Sequence, residues 1–490
     1  MRNVVAARTT RMFSFLAAFV GCIALSLTAA AQTTPNVCSI PFPVATGNAT
    51  TLSINSQHQW VLNGNTWIPR GVGIKAFIAS TAYLQNQTDA GDAAELNAQQ
   101  AYGTNEMAAI TAFGADTVRY QVSQYALSHD ANGNPSSTGN ADFVSCLRTA
   151  IRLARNANLI VILAMQSEND GAPTSEHTAL PTADTATALQ VLNNLYKNNQ
   201  GIVLELYNEP GGTNWLDWKC GSRQGAINAY GSATYYTSCI SSSPTTPASG
   251  LGTNSVAVGM QVLVDGLRAN GSTNVIIADA GSTAHTLAGI KTSSGNFFIS
   301  DPSNATTSQV AYALHPYPRG ADRTSCYPTY FAQDTTQTPN VPLNVPVLVT
   351  EWSAATASPT ATGPMLNGLD TFHPSISLVN FTNRWEYPMV AAAFDIDGIL
   401  TKNVPSTYNA AVSSWVPTNY NNFFDTDTST GKLHYNESGD NAGLLLNTFF
   451  LLNGARAGQI TAFSCADAVS PGDDSCSQMP TPPTSPPCSN

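Results

Sequence analysis

The chain has 490 residues, and 31 acids against 20 bases leave a formal charge of −11 at pH 7. No basic patch occurs along it, which argues against nucleic acid and anionic membrane surfaces as partners. The length suits one large α/β barrel with loop insertions or two ordinary domains. Sparse charge beside plentiful Thr, Ser, Asn and Gly suits a neutral, hydroxyl-rich ligand.

Arg2, Arg8 and Arg11 precede an apolar run, Met12–Leu27, that ends in Thr28-Ala-Ala-Ala31-Gln32. That is the pattern of a secretory leader over residues 1–31, cut after Ala31. The polar chain that follows has no basic stop-transfer flank, which speaks against a retained membrane anchor. Losing three bases with the leader takes the charge from −11 to −14. Export to the extracellular space or periplasm permits disulfides. Eight cysteines remain once Cys22 is removed, and Cys220–Cys239 and Cys465–Cys476 are the most local pairings. No CxxC or Cys/His cluster suggests zinc, so neither metal nor cofactor is expected.

In chain order, residues 32–60 read as an irregular lead-in. Trp67–Ile74 is the first strand candidate, followed by a helix over 93–113. Asp116–Val122 is the second strand and Asp142–Asn156 the next helix. Leu159–Gln166 is an unbroken apolar run, the mark of a strand buried on both faces, and Asp184–Lys197 is helical by periodicity. The fourth strand is Ile202-Val-Leu-Glu-Leu-Tyr-Asn-Glu-Pro210. Proline cannot donate to a ladder, so Pro210 stops it and leaves Glu209 at its carboxyl end.

A Gly/Ser/Thr-rich insertion then runs to about Gly252, before a helix at Ser255–Asn270. Asn274–Asp279 is the fifth strand and Val310–Tyr317 the sixth, with a weak helix over 321–335. Val345–Glu351 is the seventh, a helix near Ser375–Trp385 follows, and Met389–Ile396 is the eighth. A long loop over 398–440 precedes a closing helix at Asn441–Gly454. Eight strands, each with a helix or its remnant, predict an α/β fold, a (β/α)8 TIM barrel with long βα-loop insertions over residues 32–462. A doubly wound sheet is the competitor, but no glycine-rich phosphate loop follows the first strand. Residues 463–490 form a Cys-containing tail of Pro/Thr/Ser linker composition.

Barrel enzymes gather their chemistry at the C-terminal ends of the strands. By alternation Glu205, Tyr207 and Glu209 share one side of the fourth strand, and Val347, Val349 and Glu351 one side of the seventh. If those sides turn inward, two carboxylates overlook one cavity. Glycoside hydrolysis with retention uses such a pair about 5–5.5 Å apart. A lone Glu at a strand end is ordinarily structural or solvated; a pair at two such ends points to chemistry.

Tyr207-Asn208-Glu209-Pro210, His315-Pro-Tyr317 and Thr350-Glu351-Trp352, with Arg119 upstream, resemble glycoside hydrolase family 5, the cellulase-like retaining barrel enzymes. The resemblance spans roughly Trp60–Gly454. It implies Glu209 as acid/base, Glu351 as nucleophile and Asn208 as the holder of a sugar 2-hydroxyl. It puts Arg119 beside Glu351, has Tyr317 hydrogen-bond the nucleophile, and has His315 bind substrate or orient Glu209. The plainer alternatives are an Arg119–Glu205 barrel ion pair, with Glu205 purely structural, and a core histidine at 315.

Two departures stand out. Gln166 closes the third strand where the family commonly has a histidine, and Ala391-Ala-Ala-Phe394-Asp395 offers no tryptophan at the eighth. Trp215, Trp218, Trp352 and Trp415 are the candidate replacement platforms, since aromatic faces pack on the C–H faces of sugar rings. The expectation is a secreted, monomeric, metal-independent retaining β-glycosidase acting on a polysaccharide or oligosaccharide, with endo-β-1,4-glucan as the first choice. β-Mannan, xyloglucan, xylan and other β-glucans are the rivals. A non-catalytic carbohydrate-binding barrel and a disulfide-braced wall protein are the readings from other classes.

Overall fold

The structure, a computed structural model, describes Cys38, most of residues 40–351 and residues 388–391, with the larger gaps at 81–106, 245–254 and 316–332. The leader, the tail, Cys465–Cys476, Tyr317, Trp352, Trp415, Phe394 and the helices expected near 375–385 and 441–454 lie outside the described residues. None of the described helices is long and apolar enough to cross a membrane.

The lead-in is not irregular. It forms an antiparallel sheet of β1 (Leu52–Ile54), β2 (Trp60–Leu62) and β3 (Asn65–Thr66). The signal was the alternation within Leu52-Ser-Ile54, too short a run to stand out. The barrel strands follow as β4 (Arg70–Phe77), β5 (Thr117–Ser123), β6 (Ile160–Gln166), β7 (Ile202–Glu205) and β8 (Ile276–Asp279). After the small hairpin of β9 (Lys291–Thr292) and β10 (Gly295–Asn296) comes β11 (Val310–Leu314). A second hairpin, β12 (Gln333–Asp334) with β13 (Val341–Pro342), ends the stretch expected as a weak helix. β14 (Val347–Val349) and β15 (Met389–Ala391) complete the set. The eight barrel strands pair in parallel and β15 closes on β4. The α/β barrel expected from the sequence is therefore present.

The described helices include α1 (Gln124–Ser128), α2 (Ala141–Asn156), α3 (Ala183–Tyr196), α4 (Trp215–Cys220), α5 (Arg223–Tyr230), α6 (Thr234–Ser241) and α7 (Met260–Ala269). Helix α2 shows why such segments coil and dock. Asn140 caps it, its Oδ1 accepting from Asp142 N at 3.1 Å and Phe143 N at 3.2 Å. Phe143, Leu147, Ala150, Ile151 and Ala154 are buried at helical spacing on one face. Each large apolar side chain sealed there contributes about 1.5–3 kcal/mol.

The insertion after the fourth strand, expected as loop, holds α4, α5 and α6. Asn214 and Ser222 cap the first two by accepting from Leu216 N and Gly225 N, both at 2.9 Å. Gly221 and Gly231 stop them at φ +65° and +69°. Cys220 and Cys239 are joined as expected, with Cα atoms 5.6 Å apart. A second disulfide, Cys38–Cys146, ties the segment before β1 to α2. Helix α7 begins five residues later than the periodicity suggested. Ser255–Gly259 stays extended, with Val258 N donating to Pro181 O at 2.7 Å.

The strands divide their side chains between two layers. Val118, Tyr120, Val161, Leu163, Leu204, Ile276, Tyr312, Val347 and Val349 pack outward with the helices. Ile160, Ile162, Val203, Ile277, Ala311, Ala313, Leu348 and Val390 fill the barrel interior, joined by Leu52, Ile54, Trp60 and Trp67 from the lead-in. Gln309 pins β1 to this floor: its Oε1 accepts from Ile54 N at 2.8 Å and its Nε2 donates to Ile54 O at 3.0 Å.

Candidate active site

Above the apolar interior lies a buried polar layer, built by the next inward positions of the same strands. β5 supplies Arg119 and Gln121, β7 ends on Glu205, β8 ends on Asp279, and His315 and Thr350 follow β11 and β14. Arg119 is its centre. Its Nε donates to Glu205 Oε2 at 2.8 Å and its Nη2 to Glu205 Oε1 at 2.6 Å. Nη2 also reaches Asn208 Oδ1 at 2.6 Å, and Nη1 reaches Glu351 Oε2 at 3.0 Å. Gln121 Nε2 donates to the same Glu351 oxygen at 3.0 Å. The ion pair with Glu205 and the contact with Glu351 thus coexist.

Glu351 does not arrive by the alternation argued from sequence. Val347 and Val349 face the helices, and Glu351 turns in only after β14 has ended. β7 likewise ends at Glu205, so Tyr207 leaves the pattern. Tyr207 packs in the outer layer, its hydroxyl within hydrogen-bond reach of Ser167 Oγ and Thr178 Oγ1 and donating to the Thr178 carbonyl.

Glu209 sits on the turn beyond β7 with φ +54°, a left-handed conformation that non-glycine residues seldom adopt. Two backbone bonds hold that turn: Asn208 N donates to Met165 O at 2.8 Å, and Glu209 N donates to Asp279 Oδ2 at 3.1 Å. His315 Nδ1 lies 3.0 Å from Glu209 Oε1, and its Nε2 lies 2.9 Å from Thr350 Oγ1. A ring protonated on Nδ1 donates to Glu209 and accepts from the Thr350 hydroxyl.

The segment after β8 straps this corner together. Ser282, Thr283 and Ala284 all have positive φ, 59°, 56° and 59°. Thr283 N donates to Pro210 O at 2.8 Å, His315 N donates to Ala284 O at 2.8 Å, and His285 Nδ1 lies 2.8 Å from His315 O. Three successive L-residues in this region cost about 1–2 kcal/mol each, which the latching bonds offset. A cavity of about 80 Å³ borders the strap and is lined by Asn214, Trp215, Ser282 and Thr286 among others.

Burial raises the Glu209 carboxyl, but the contact with His315 more than offsets this and leaves it below the usual range. The charge of Glu351 acts on Glu209 in the opposite sense and raises it. Desolvation lowers Arg119, yet the carboxylates of Glu205, Glu351 and Asp279 hold it above the ordinary arginine value. Burial first, and then the charge of Glu205, push Asp279 well above the ordinary range. Glu205, Asp279 and His315 present ligand-type atoms within 4.8 Å of one another. A cation there would face the Arg119 guanidinium, which already takes both Glu205 oxygens, so the donor set does not fit a metal.

The structure therefore brings Glu209, Glu351, Arg119, Asn208 and His315 into one connected cluster. Gln166 ends β6 facing inward; its Nε2 donates to Glu168 O at 3.1 Å, and its buried Oε1 has no partner. Trp218 is not an exposed platform. It is 2% exposed, its indole N–H donates to Asp279 O at 2.8 Å, and it packs edge-on against Trp215. Trp215 stays partly exposed at the cavity, its N–H on Ala288 O at 3.1 Å. Sequence reasoning missed Gln121, Thr350 and Asp279 as members. Gln121 lies two residues past Arg119, hence on the same face, and Asp279 is a strand-end carboxylate like those that were found.

Residues 86–384, more than half of the chain, match the family described as cellulase (glycosyl hydrolase family 5). No curated protein matches the sequence. Among solved structures, a β-glucanase of Saccharophagus degradans, seen in native form and with cellotetraose, is 16% identical with a TM-score of 0.46. It covers 78% of this chain and 98% of its own. The catalytic domain of a mannanase from Streptomyces sp. SirexAA-E is 16% identical, with a TM-score of 0.39 over 73% of this chain and 84% of that one. A cellulase from an Icelandic hot spring isolate is 15% identical, with a TM-score of 0.40 over 74% and 87%.

Proposed function

The chain belongs to glycosyl hydrolase family 5, and on that premise we propose a secreted endo-acting β-1,4-glycan hydrolase that works by double displacement. The observation that carries this is the unlike surroundings of two neighbouring carboxylates. One oxygen of Glu351 receives a cationic and an amide donor, from Arg119 and Gln121. Glu209 meets His315 on the opposite wall and keeps 21% of its side chain open. Carboxylates set apart in this way divide into acid and nucleophile.

Glu209, held low by His315 in the free protein, takes up its proton as a bound sugar shuts water from its open face. Glu351 then attacks the anomeric carbon while Glu209 gives that proton to the departing glycosidic oxygen. The C–O bond breaks and an ester to Glu351 forms. Water then attacks the anomeric carbon, losing its proton to Glu209, and the bond to the Glu351 oxygen breaks and frees Glu351. Forming the ester removes the Glu351 charge that raises Glu209, so the same group gives a proton in the first step and takes one in the second. With Asn208 Oδ1 already accepting from Arg119, its Nδ2 is left to donate to the sugar 2-hydroxyl. Glucan is the first choice of polymer, with mannan, xyloglucan, xylan and other β-glucans as its rivals, and the leader, cut after Ala31, exports the enzyme.

The test is reducing-end release from soluble β-glucan, mannan, xyloglucan and xylan. Wild type is expected to act on one polymer, Glu351→Ala on none, and Glu209→Gln to lose roughly 10²–10⁴-fold in kcat. Silence of wild type on every polymer, with binding to one retained, would replace this reading by a carbohydrate-binding barrel.

A further inference from the structure

Asp279 belongs to none of the roles above, yet everything around it converges on the catalytic corner. It ends β8, fully buried. Oδ2 accepts from Glu209 N at 3.1 Å, the amide that the left-handed turn exposes. Oδ1 is buried and meets no donor. An oxygen of the carboxyl and one of Glu205 lie within 4.8 Å of each other. Two ionised carboxylates this close in a dry layer repel, and one proton held between them relieves the repulsion.

The surrounding charges agree. Among the described residues, Asp279 faces Arg119 on β5, Glu205 on β7, Glu209 on the next turn and His315 beyond β11, with Glu351 on the far side of Arg119. Arg119 directs Nε to Glu205, Nη2 to Glu205 and Asn208, and Nη1 to Glu351. His315 Nε2 stands 3.7 Å from Asp279 Oδ2 and is engaged by Thr350 instead. A third anion in this layer would have to share Arg119 with Glu205 and Glu351, and a buried charge without a close cation of its own is costly.

We propose that Asp279 is a positioning residue for Glu209: a protonated carboxyl that donates to Glu205 through one oxygen and fixes the amide of Glu209 with the other. It ties the acid/base on one wall to the Glu205–Arg119–Glu351 chain on the other, so the two catalytic carboxylates are set by one hydrogen-bonded unit. Asparagine reproduces this donor–acceptor pair, since its Nδ2 donates to Glu205 while its Oδ1 accepts from Glu209 N. Alanine reproduces neither.

The proposal rests on the hydrolase reading for its kinetic arm alone. Asp279→Ala is expected to lower kcat roughly 10²-fold, the scale of a displaced catalytic group, with KM nearly unchanged. Asp279→Asn is expected to restore most of that loss. It should also lack the alkaline limb of kcat/KM that appears in wild type when the shared proton leaves. The second arm is infrared absorption of the folded protein near neutral pH, where wild type should show a protonated carboxyl band that Asp279→Asn loses. An Asn variant as impaired as Ala, an unaltered alkaline limb, or no such band in wild type would overturn the proposal. Wild type inactive on every glycan would sink the hydrolase reading by itself, and the infrared band decides the protonation of Asp279 in either case.

Discussion

At the scale of single residues the site hangs on Arg119, which meets two carboxylates and an amide at once. A planar guanidinium with five fixed donors can do this, while a lysine ammonium is a single point at the end of a flexible stem. Arg119→Met strands Glu205 and Glu351 in a dry layer and is expected to cost about 3–5 kcal/mol. Arg119→Lys should fall between Met and wild type in stability and still lose kcat, because one ammonium cannot hold both carboxylates. Urea unfolding read beside turnover checks both, and a Lys variant with wild-type kcat would show that the fork is not needed. The sequence offered Glu205 and Glu351 as rival partners for Arg119. They were rivals only because spacing along a chain says which residues share a face, not how many donors one side chain can spend.

Elements explain the misses. Period-two alternation holds for Glu205, as it does for Gln166 and Arg119, which the resemblance supplied, because each lies within a hydrogen-bonded strand. It failed for Tyr207 and Glu351 because β7 and β14 end at Glu205 and Val349. Beyond those points, backbone torsions rather than the pleat aim the side chain. Glu209 shows the same rule: its φ of +54° is held by Asp279 on its own amide and by Thr283 on the Pro210 carbonyl, partners distant in sequence. The helical insertion was more legible than it was read to be, since Asn214, Ser222, Gly221 and Gly231 are ordinary caps and stops. The two disulfides bracket very different lengths of chain, 108 and 19 residues apart. Loop-closure entropy makes the longer more stabilising, about 4.7 kcal/mol against about 3. Alanine replacement of Cys38 and Cys146 should therefore lower the unfolding midpoint more than replacement of Cys220 and Cys239; the reverse order would mean strain outweighs entropy.

For the molecule as a whole, the barrel was legible because eight apolar runs recur with helices between them, a pattern that few other architectures share. Its buried acids give a pH signature. Burial pushes Asp116, Asp170 and Asp265 each up to about 6 from an ordinary 3.8. Between those values the folded chain holds protons that the unfolded chain has released, so stability falls as pH rises through the window and levels off above it. Asp301, held low by Arg268 against its own burial, acts at still lower pH and in the opposite sense. Denaturant midpoints should peak at about pH 4–5 and decline toward neutrality; a midpoint climbing from pH 5 to 7 would contradict this.

The lead-in sheet has a part in that electrostatic balance although it packs against the apolar floor of the barrel. Leu52, Ile54 and Trp60 stopper the barrel from beneath, and Gln309 locks the stopper in place. What they exclude is water, and with it a high dielectric constant under Arg119, Glu205 and Asp279. The sheet is in effect electrical insulation. Wetting the interior from the floor would weaken every ion pair in the polar layer and relax the need for a shared proton, so the strength of the field at the barrel mouth is set partly from its opposite end.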